Sequence, residues 1–95
     1  MQGGRFLSGA PIFAAEIRSE NDYVDAAEKE MTQKRTDYFA AGTLVVWDVD
    51  VLKDEVVRVY RATNPENPTV YRRGEYAEAE PALPGFSMLV DDLLP

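Results

Sequence analysis

The sequence predicts an α/β domain in which one long helix follows the first strand of a mixed β-sheet. Three observations support this class. Residues 11–18 form a short apolar run typical of a strand, residues 23–41 carry side chains at helical spacing, and residues 44–49 form a second apolar run soon afterwards. A strand, a helix and a strand in this order favour a crossover connection with parallel pairing.

Two charges lie where apolar residues belong. Glu16 ends an uncharged stretch that is typical of a central strand covered on both faces. Lys34 interrupts the apolar stripe of the helix. Because an unpaired buried charge is costly or shifts its pKa, the two together predict a buried acid–lysine site. The stripe is formed by Ala27, Met31, Lys34, Tyr38 and Ala41.

Capping residues precede the helix, and a glycine follows it. Ser19, Asn21 and Asp22 are all suitable N-caps, and the sequence does not choose among them. Gly42 predicts the C-terminal stop. Glu30 and Lys34 are four residues apart in the order that favours an ion pair along the helix.

The rest of the chain alternates strands and turns. Residues 55–61 predict an antiparallel strand, residues 64–68 a firm turn, and residues 69–73 a further strand at an edge of the sheet. The acidic residues 75–80 indicate a solvated surface loop. Residues 90–94 predict one terminal turn that packs its leucines against the core.

The composition indicates one small domain with restricted chemistry. We expect residues 1–10 to be a flexible lead-in and residues 11–95 to form a single domain. No apolar run approaches the roughly 18 residues needed to span a bilayer, and a cytoplasmic location is expected. The chain has neither histidine nor cysteine, which excludes Ser–His, Cys–His and thiolate or imidazole zinc sites. Carboxylates, lysine, tyrosine and a hard metal ion remain.

The net charge of −7 bears on nucleic-acid binding. A protein that coats nucleic acid gains affinity by neutralising phosphates, so this charge argues against that class. An enzyme that holds DNA locally through a metal ion and a few basic side chains is still compatible with it.

Three segments in order resemble the Uma-two family of small bacterial restriction endonucleases in the PD-(D/E)XK superfamily. The segments are residues 13–19 (FAAEIRS), 34–42 (KRTDYFAAG) and 46–50 (VWDVD), and the ending over residues 82–94 is also similar. The resemblance implies a restriction-endonuclease-like fold and metal-dependent cleavage of DNA phosphodiesters with Mg²⁺ or Mn²⁺.

The resemblance also implies roles for four residues. Glu16 corresponds to the strand carboxylate that binds the metal, and Lys34 to a catalytic lysine that has moved to the following helix. Glu30 and Tyr38 correspond to possible supporting residues one turn before and one turn after that lysine. The lysine could orient or deprotonate a water, or offset negative charge on the phosphate.

One element of the superfamily pattern is missing. The first metal-binding aspartate lies upstream of the glutamate in that pattern, whereas this chain has no acidic residue before Glu16. The chain therefore resembles the C-terminal half of the family domain, a fold truncated at the N-terminus. Such a half domain would expose sheet edge and core, so we expect it to form a homo-oligomer.

Structural and non-catalytic interpretations stay open at this stage. Glu16 could form an ordinary salt bridge with Lys34 or Arg18, and Lys34 could extend its ammonium to solvent past an apolar stem. Glu30 could be a solvated helix residue and Tyr38 a core residue. The chain would then be a non-catalytic module that self-associates or binds a partner.

Overall fold

A four-stranded mixed sheet with one long helix on one face organises the protein, which confirms the predicted fold class. The computed structural model describes residues 11–95, so the predicted flexible lead-in over residues 1–10 lies outside the described residues. The strands follow the order β1-β2-β3-β4 across the sheet, and a two-stranded hairpin of β5 and β6 is separate. The strands are β1 (Phe13–Ile17), β2 (Val45–Asp50), β3 (Val56–Arg61), β4 (Asn64–Tyr71), β5 (Tyr76–Glu78) and β6 (Ser87–Leu89).

The predicted crossover is present. β1 pairs in parallel with β2, with Glu16 aligned to Asp48, and the β2–β3 and β3–β4 pairs are antiparallel. The helix α1 (Asp25–Ala40) connects β1 to β2. Within residues 11–95, no helix has the length and apolar character needed to cross a membrane.

A short 3₁₀ turn precedes α1, and the predicted capping residues belong to this turn rather than to α1 itself. The turn spans Glu20–Tyr23, and the Asp22 carboxylate accepts hydrogen bonds from the Ser19 backbone N–H at 2.7 Å and hydroxyl at 3.1 Å. Val24 occupies the N-cap position of α1 itself, without a side-chain cap. Gly42 has a φ of +109°, a conformation that favours glycine, and ends the helix as predicted.

The apolar core lies on the sheet face that is turned away from α1. Trp47 is at its centre, with its ring 5.2 Å from that of Phe13 in an edge-to-face arrangement and its indole N–H donating to the Glu78 carbonyl at 3.0 Å. A 3₁₀ turn over Val90–Leu93 closes this side, which confirms the predicted terminal turn. The buried cluster contains Val45, Trp47, Val49, Val57, Val59, Ala77, Ala79, Ala82 and Val90.

The predicted turn over residues 64–68 is wrong, because those residues belong to β4. The β3–β4 hairpin instead turns at Ala62 and Thr63. Pro65 and Pro68 fit a strand here because β4 is an edge of the described sheet, where a missing N–H breaks no ladder.

The acidic segment 75–80 is not a solvated loop. Ala77 and Ala79 are fully buried against the core, and the segment contains β5, which pairs with β6. The physical reason is alternation, since every second side chain of a strand points to the same face. The two alanines therefore face inward, whereas Glu78 between them stays partly accessible.

β1 is not covered on both faces as predicted. It is an edge strand of the described sheet, and Ile17 is 64% exposed. α1 contains no buried residue. The predicted helix stripe thus contacts the sheet without forming a sealed apolar layer.

Candidate active site

Glu16, Lys34 and Tyr38 meet at one carboxylate. The Glu16 Oε1 atom accepts a hydrogen bond from the Lys34 Nζ atom at 2.9 Å, and the Oε2 atom accepts one from the Tyr38 hydroxyl at 3.3 Å. Lys34 and Tyr38 are four residues apart, so both project from the same face of α1 toward β1. The structure therefore brings together three of the four residues singled out from the sequence.

The acid–lysine pair is not buried, contrary to the prediction. The Lys34 side chain is 57% exposed and that of Glu16 is 31% exposed. The pair lies over β1, at an edge of the described sheet, and α1 does not seal it from solvent. Lys34 thus extends its ammonium toward solvent and forms an ordinary salt bridge with Glu16 there, as the non-catalytic interpretation also expected.

Glu30 lines a small cavity together with Glu16 and Lys34, but it forms no hydrogen bond or ion pair with them. The cavity has a volume of about 190 Å³ and is lined by Glu16, Asp22, Glu30, Met31 and Lys34, among others. Within residues 11–95, Glu30 forms no ion pair, and the predicted Glu30–Lys34 bridge is replaced by the Glu16–Lys34 bridge.

Lys34 is positively charged in this arrangement. The hydrogen bond to the Glu16 carboxylate, together with its negative charge, raises the pKa of Lys34 above the ordinary lysine value. The ammonium can donate hydrogen bonds and offset negative charge. It cannot act as a proton acceptor at neutral pH while it is paired in this way.

A second set of charges lies two residues further along β1. Arg18 is only 7% exposed, and its guanidinium donates to both carboxylate oxygens of Asp48 at 2.8 and 2.9 Å. It also forms two bonds of 2.8 Å to Glu28 on α1 and one of 3.0 Å to the Asp22 carbonyl. These bonds hold Arg18 strongly in its charged form by raising its pKa. Arg18 thereby ties β1, β2 and the start of α1 together.

Arg58 extends this set across the sheet. It lies 3.6 Å from Asp48 and 3.3 Å from Asp50, both of which are 2% exposed. The Asp50 Oδ1 atom accepts a hydrogen bond from the Tyr23 hydroxyl at 2.6 Å. Burial alone would raise the pKa of Asp50, but hydrogen bonds from Tyr23 and from two backbone N–H groups lower it overall. We call Arg18, Glu28, Asp48, Asp50 and Arg58 the charged layer.

The charged layer was missed by the sequence analysis, although a signal was present. In Val46–Asp50 two aspartates alternate with apolar residues, which places both on one face of the strand. Arg58 lies opposite Asp48 in the register of β3. Alternating aspartates in an otherwise apolar strand could have indicated a buried polar face, but their partners depend on long-range register.

The carboxylates of residues 11–95 do not converge on a metal site. No group of three acidic, histidine or cysteine side chains within residues 11–95 is arranged to hold a metal ion. Asp48 and Asp50 are engaged by arginines. Glu16 is partly exposed and adjacent to the Lys34 ammonium, in a cavity that Asp22 and Glu30 also line, so its carboxylate is accessible to a hydrated ion.

Comparison with known proteins gives the family. The model of the Uma2 (Uma-two) family, described as a putative restriction endonuclease, matches residues 2–91, so this chain belongs to that family. No curated protein matches the chain.

A solved structure confirms the fold. A putative nuclease belonging to DUF820 from Anabaena variabilis ATCC 29413 aligns with a TM-score of 0.68 and 22% sequence identity. The alignment covers 90% of this chain and 44% of that protein. This chain thus spans less than half the length of the nuclease-fold protein that it resembles.

The lowered pKa of Asp50 predicts a pH-dependent contribution to stability. The contribution is fully present above the unfolded-state pKa of about 3.9 and is lost as the pH falls through the lower folded-state value. The difference in unfolding free energy between wild type and Asp50→Asn should therefore be largest near neutral pH and shrink below about pH 4. Urea unfolding followed by Trp47 fluorescence measures this difference.

Tyr23→Phe is the matched variant for that experiment, because it removes one hydrogen bond from Asp50 and keeps its charge. It should show a smaller pH-dependent difference of the same sign. An Asp50→Asn difference that stays constant from neutral to acid pH would contradict this assignment.

Proposed function

We propose that this chain carries the glutamate–lysine part of the active site of a metal-dependent DNA endonuclease. The observation that carries the proposal is the 2.9 Å contact between Glu16 on β1 and Lys34 on α1, in a member of a family of putative restriction endonucleases. The side chains are partly exposed, so a substrate can reach them.

Glu16 is the residue that would hold a divalent ion. Magnesium commonly binds proteins through one or two carboxylates and keeps water and phosphate oxygens as its other ligands, which suits a single accessible glutamate. When bound, such an ion lowers the pKa of a coordinated water and stabilises charge on the phosphate. Tyr38 holds the Glu16 carboxylate in place through its hydroxyl.

Lys34 would act as a cation in the reaction. Its raised pKa keeps it protonated at neutral pH. This favours a role in which Lys34 offsets negative charge on the phosphate over a role as a general base. The ammonium can turn from Glu16 to a phosphate oxygen, because its side chain is long and more than half exposed.

Plasmid nicking tests the proposal. We expect wild type to nick supercoiled DNA with Mg²⁺ or Mn²⁺, and Glu16→Gln and Lys34→Ala to lose about 100-fold or more of the rate. Glu16→Gln removes the ligand charge, and Lys34→Ala removes the cation.

Lys29→Ala is the matched control, because it removes the same charge from an exposed position on the same helix. It should retain nicking. Equal loss in Lys29→Ala and Lys34→Ala, or persistent metal-dependent nicking by Glu16→Gln, would contradict the site assignment. A folded wild type that cleaves nothing would contradict the nuclease proposal for this chain.

A second candidate is a non-catalytic module that forms a homo-oligomer through β1. The observation in its favour is that β1 is an edge of the described sheet, carries Ile17 at 64% exposure and is preceded by Ile12 at 54% exposure. An exposed strand edge with apolar side chains is a template for pairing with a second copy of the chain.

Sedimentation over a concentration series tests this second candidate. Wild type should form a dimer as concentration rises, and Ile17→Glu should shift it toward monomer because it places a charge in the paired surface. Leu52→Glu is the control, since Leu52 is 52% exposed but lies beyond the end of β2. A wild type that stays monomeric throughout would contradict pairing through β1.

A further inference from the structure

A groove separate from the Glu16–Lys34 cavity lies between α1 and the β3–β4 hairpin. It has a volume of about 430 Å³, within the usual range for small-ligand sites. One wall is the side of α1 that carries Thr32, Arg35 and Phe39, and the other is formed by Tyr60, Pro65 and Glu66. We call it the α1–hairpin groove.

Arg35 is held in this groove by an aromatic ring. The carbon at the centre of its guanidinium lies 3.8 Å from the centroid of the Tyr60 ring, a close cation–π contact. Within residues 11–95, Arg35 has no carboxylate at ion-pair distance, in contrast to Arg18, Arg58, Arg61 and Arg73. A fixed cation without a counterion beside an open groove is suited to an anionic ligand.

The other lining residues narrow the chemical class of that ligand. Phe39 and Pro65 offer apolar contact surface, which a free phosphate ion does not use. Glu66 offers a hydrogen-bond acceptor, which would repel a bare anion but can accept from a ring N–H or an amino group. A nucleotide combines an anionic phosphate, an apolar ring face and polar ring edges.

Position on the helix connects the groove to the proposed active site. Lys34 and Arg35 are consecutive, so they project about 100° apart around α1, one toward β1 and the other toward the hairpin. A polynucleotide strand that crosses the helix at this turn would reach both cations.

We propose that the α1–hairpin groove binds one unpaired nucleotide of the substrate strand. Arg35 contacts the phosphate, the base lies against Phe39 and Pro65, and Glu66 accepts a hydrogen bond from the base edge. The proposal rests on the proposed function, because it takes the ligand to be part of a polynucleotide. It adds a preference for single-stranded or unpaired DNA, because a base inside a duplex cannot enter a groove of this kind.

Fluorescence anisotropy with labelled oligonucleotides tests the proposal. The titrations use a single-stranded DNA and the corresponding duplex, in EDTA so that no cleavage occurs. Wild type should bind the single strand more tightly than the duplex. Arg35→Gln should weaken single-strand binding about fivefold or more and reduce the slope of log affinity against log salt by about 0.7.

Two further variants separate stacking from charge. Arg35→Lys keeps the charge without the planar group that stacks on Tyr60, so it should recover the salt slope but only part of the affinity. Arg72→Gln is the matched control. Arg72 also lacks an ion pair among the described residues but follows the opposite end of β4, so its removal should leave the affinity almost unchanged.

The outcomes separate this inference from the proposed function. Equal affinities of Arg35→Gln and Arg72→Gln, tighter binding of the duplex than of the single strand, or no binding by wild type would each overturn the groove assignment. Plasmid nicking is read separately. Nicking without an Arg35 effect on binding overturns only the groove, and Arg35-dependent binding without nicking overturns only the nuclease.

Discussion

The rest of the structure depends on the bonds that Arg18 forms inside the charged layer. A guanidinium that is almost fully buried must have its donors satisfied, and here Asp48, Glu28 and the Asp22 carbonyl do so. These partners lie on β2, at the start of α1 and in the turn before it. One side chain of β1 therefore fixes the neighbouring strand and the helix that follows.

This constraint gives the two faces of the sheet different functions. The face turned away from α1 packs the apolar core around Trp47, and the face under α1 carries Glu16 and the strand residues of the charged layer. A helix over such a face needs no continuous apolar stripe, and α1 has no buried residue. The same arrangement leaves Lys34 accessible beside Glu16 and Arg35 accessible beside Tyr60, so α1 presents cations to two separate cavities of an acidic protein.

Periodicity and family resemblance predicted the elements near the site. The crossover of β1, α1 and β2 followed from apolar runs and helical spacing. The contacts of Lys34 and Tyr38 with Glu16 agree with the four-residue spacing of the two residues on α1. The exposure of the pair could not be predicted, because it depends on how closely α1 approaches the sheet. The partners of Arg18 were also out of reach, because Arg18 and Asp48 are 30 residues apart and meet only through the register of β1 and β2. The alternating sequence around Ala77 and Ala79 indicated that both alanines share one face of a strand. The neighbouring glutamates instead favoured the prediction of a solvated loop.

The most direct measurement of the central claim is the unfolding free energy of Arg18→Met in urea. Methionine has a long apolar side chain but leaves Asp48 buried with only the longer contact to Arg58, so we predict a loss of about 3 kcal/mol or more. Arg73→Met, which breaks an exposed pair with Glu55, should cost much less. If Arg18→Met were as stable as wild type, or no less stable than Arg73→Met, the charged layer would not hold the fold together and the account would be contradicted.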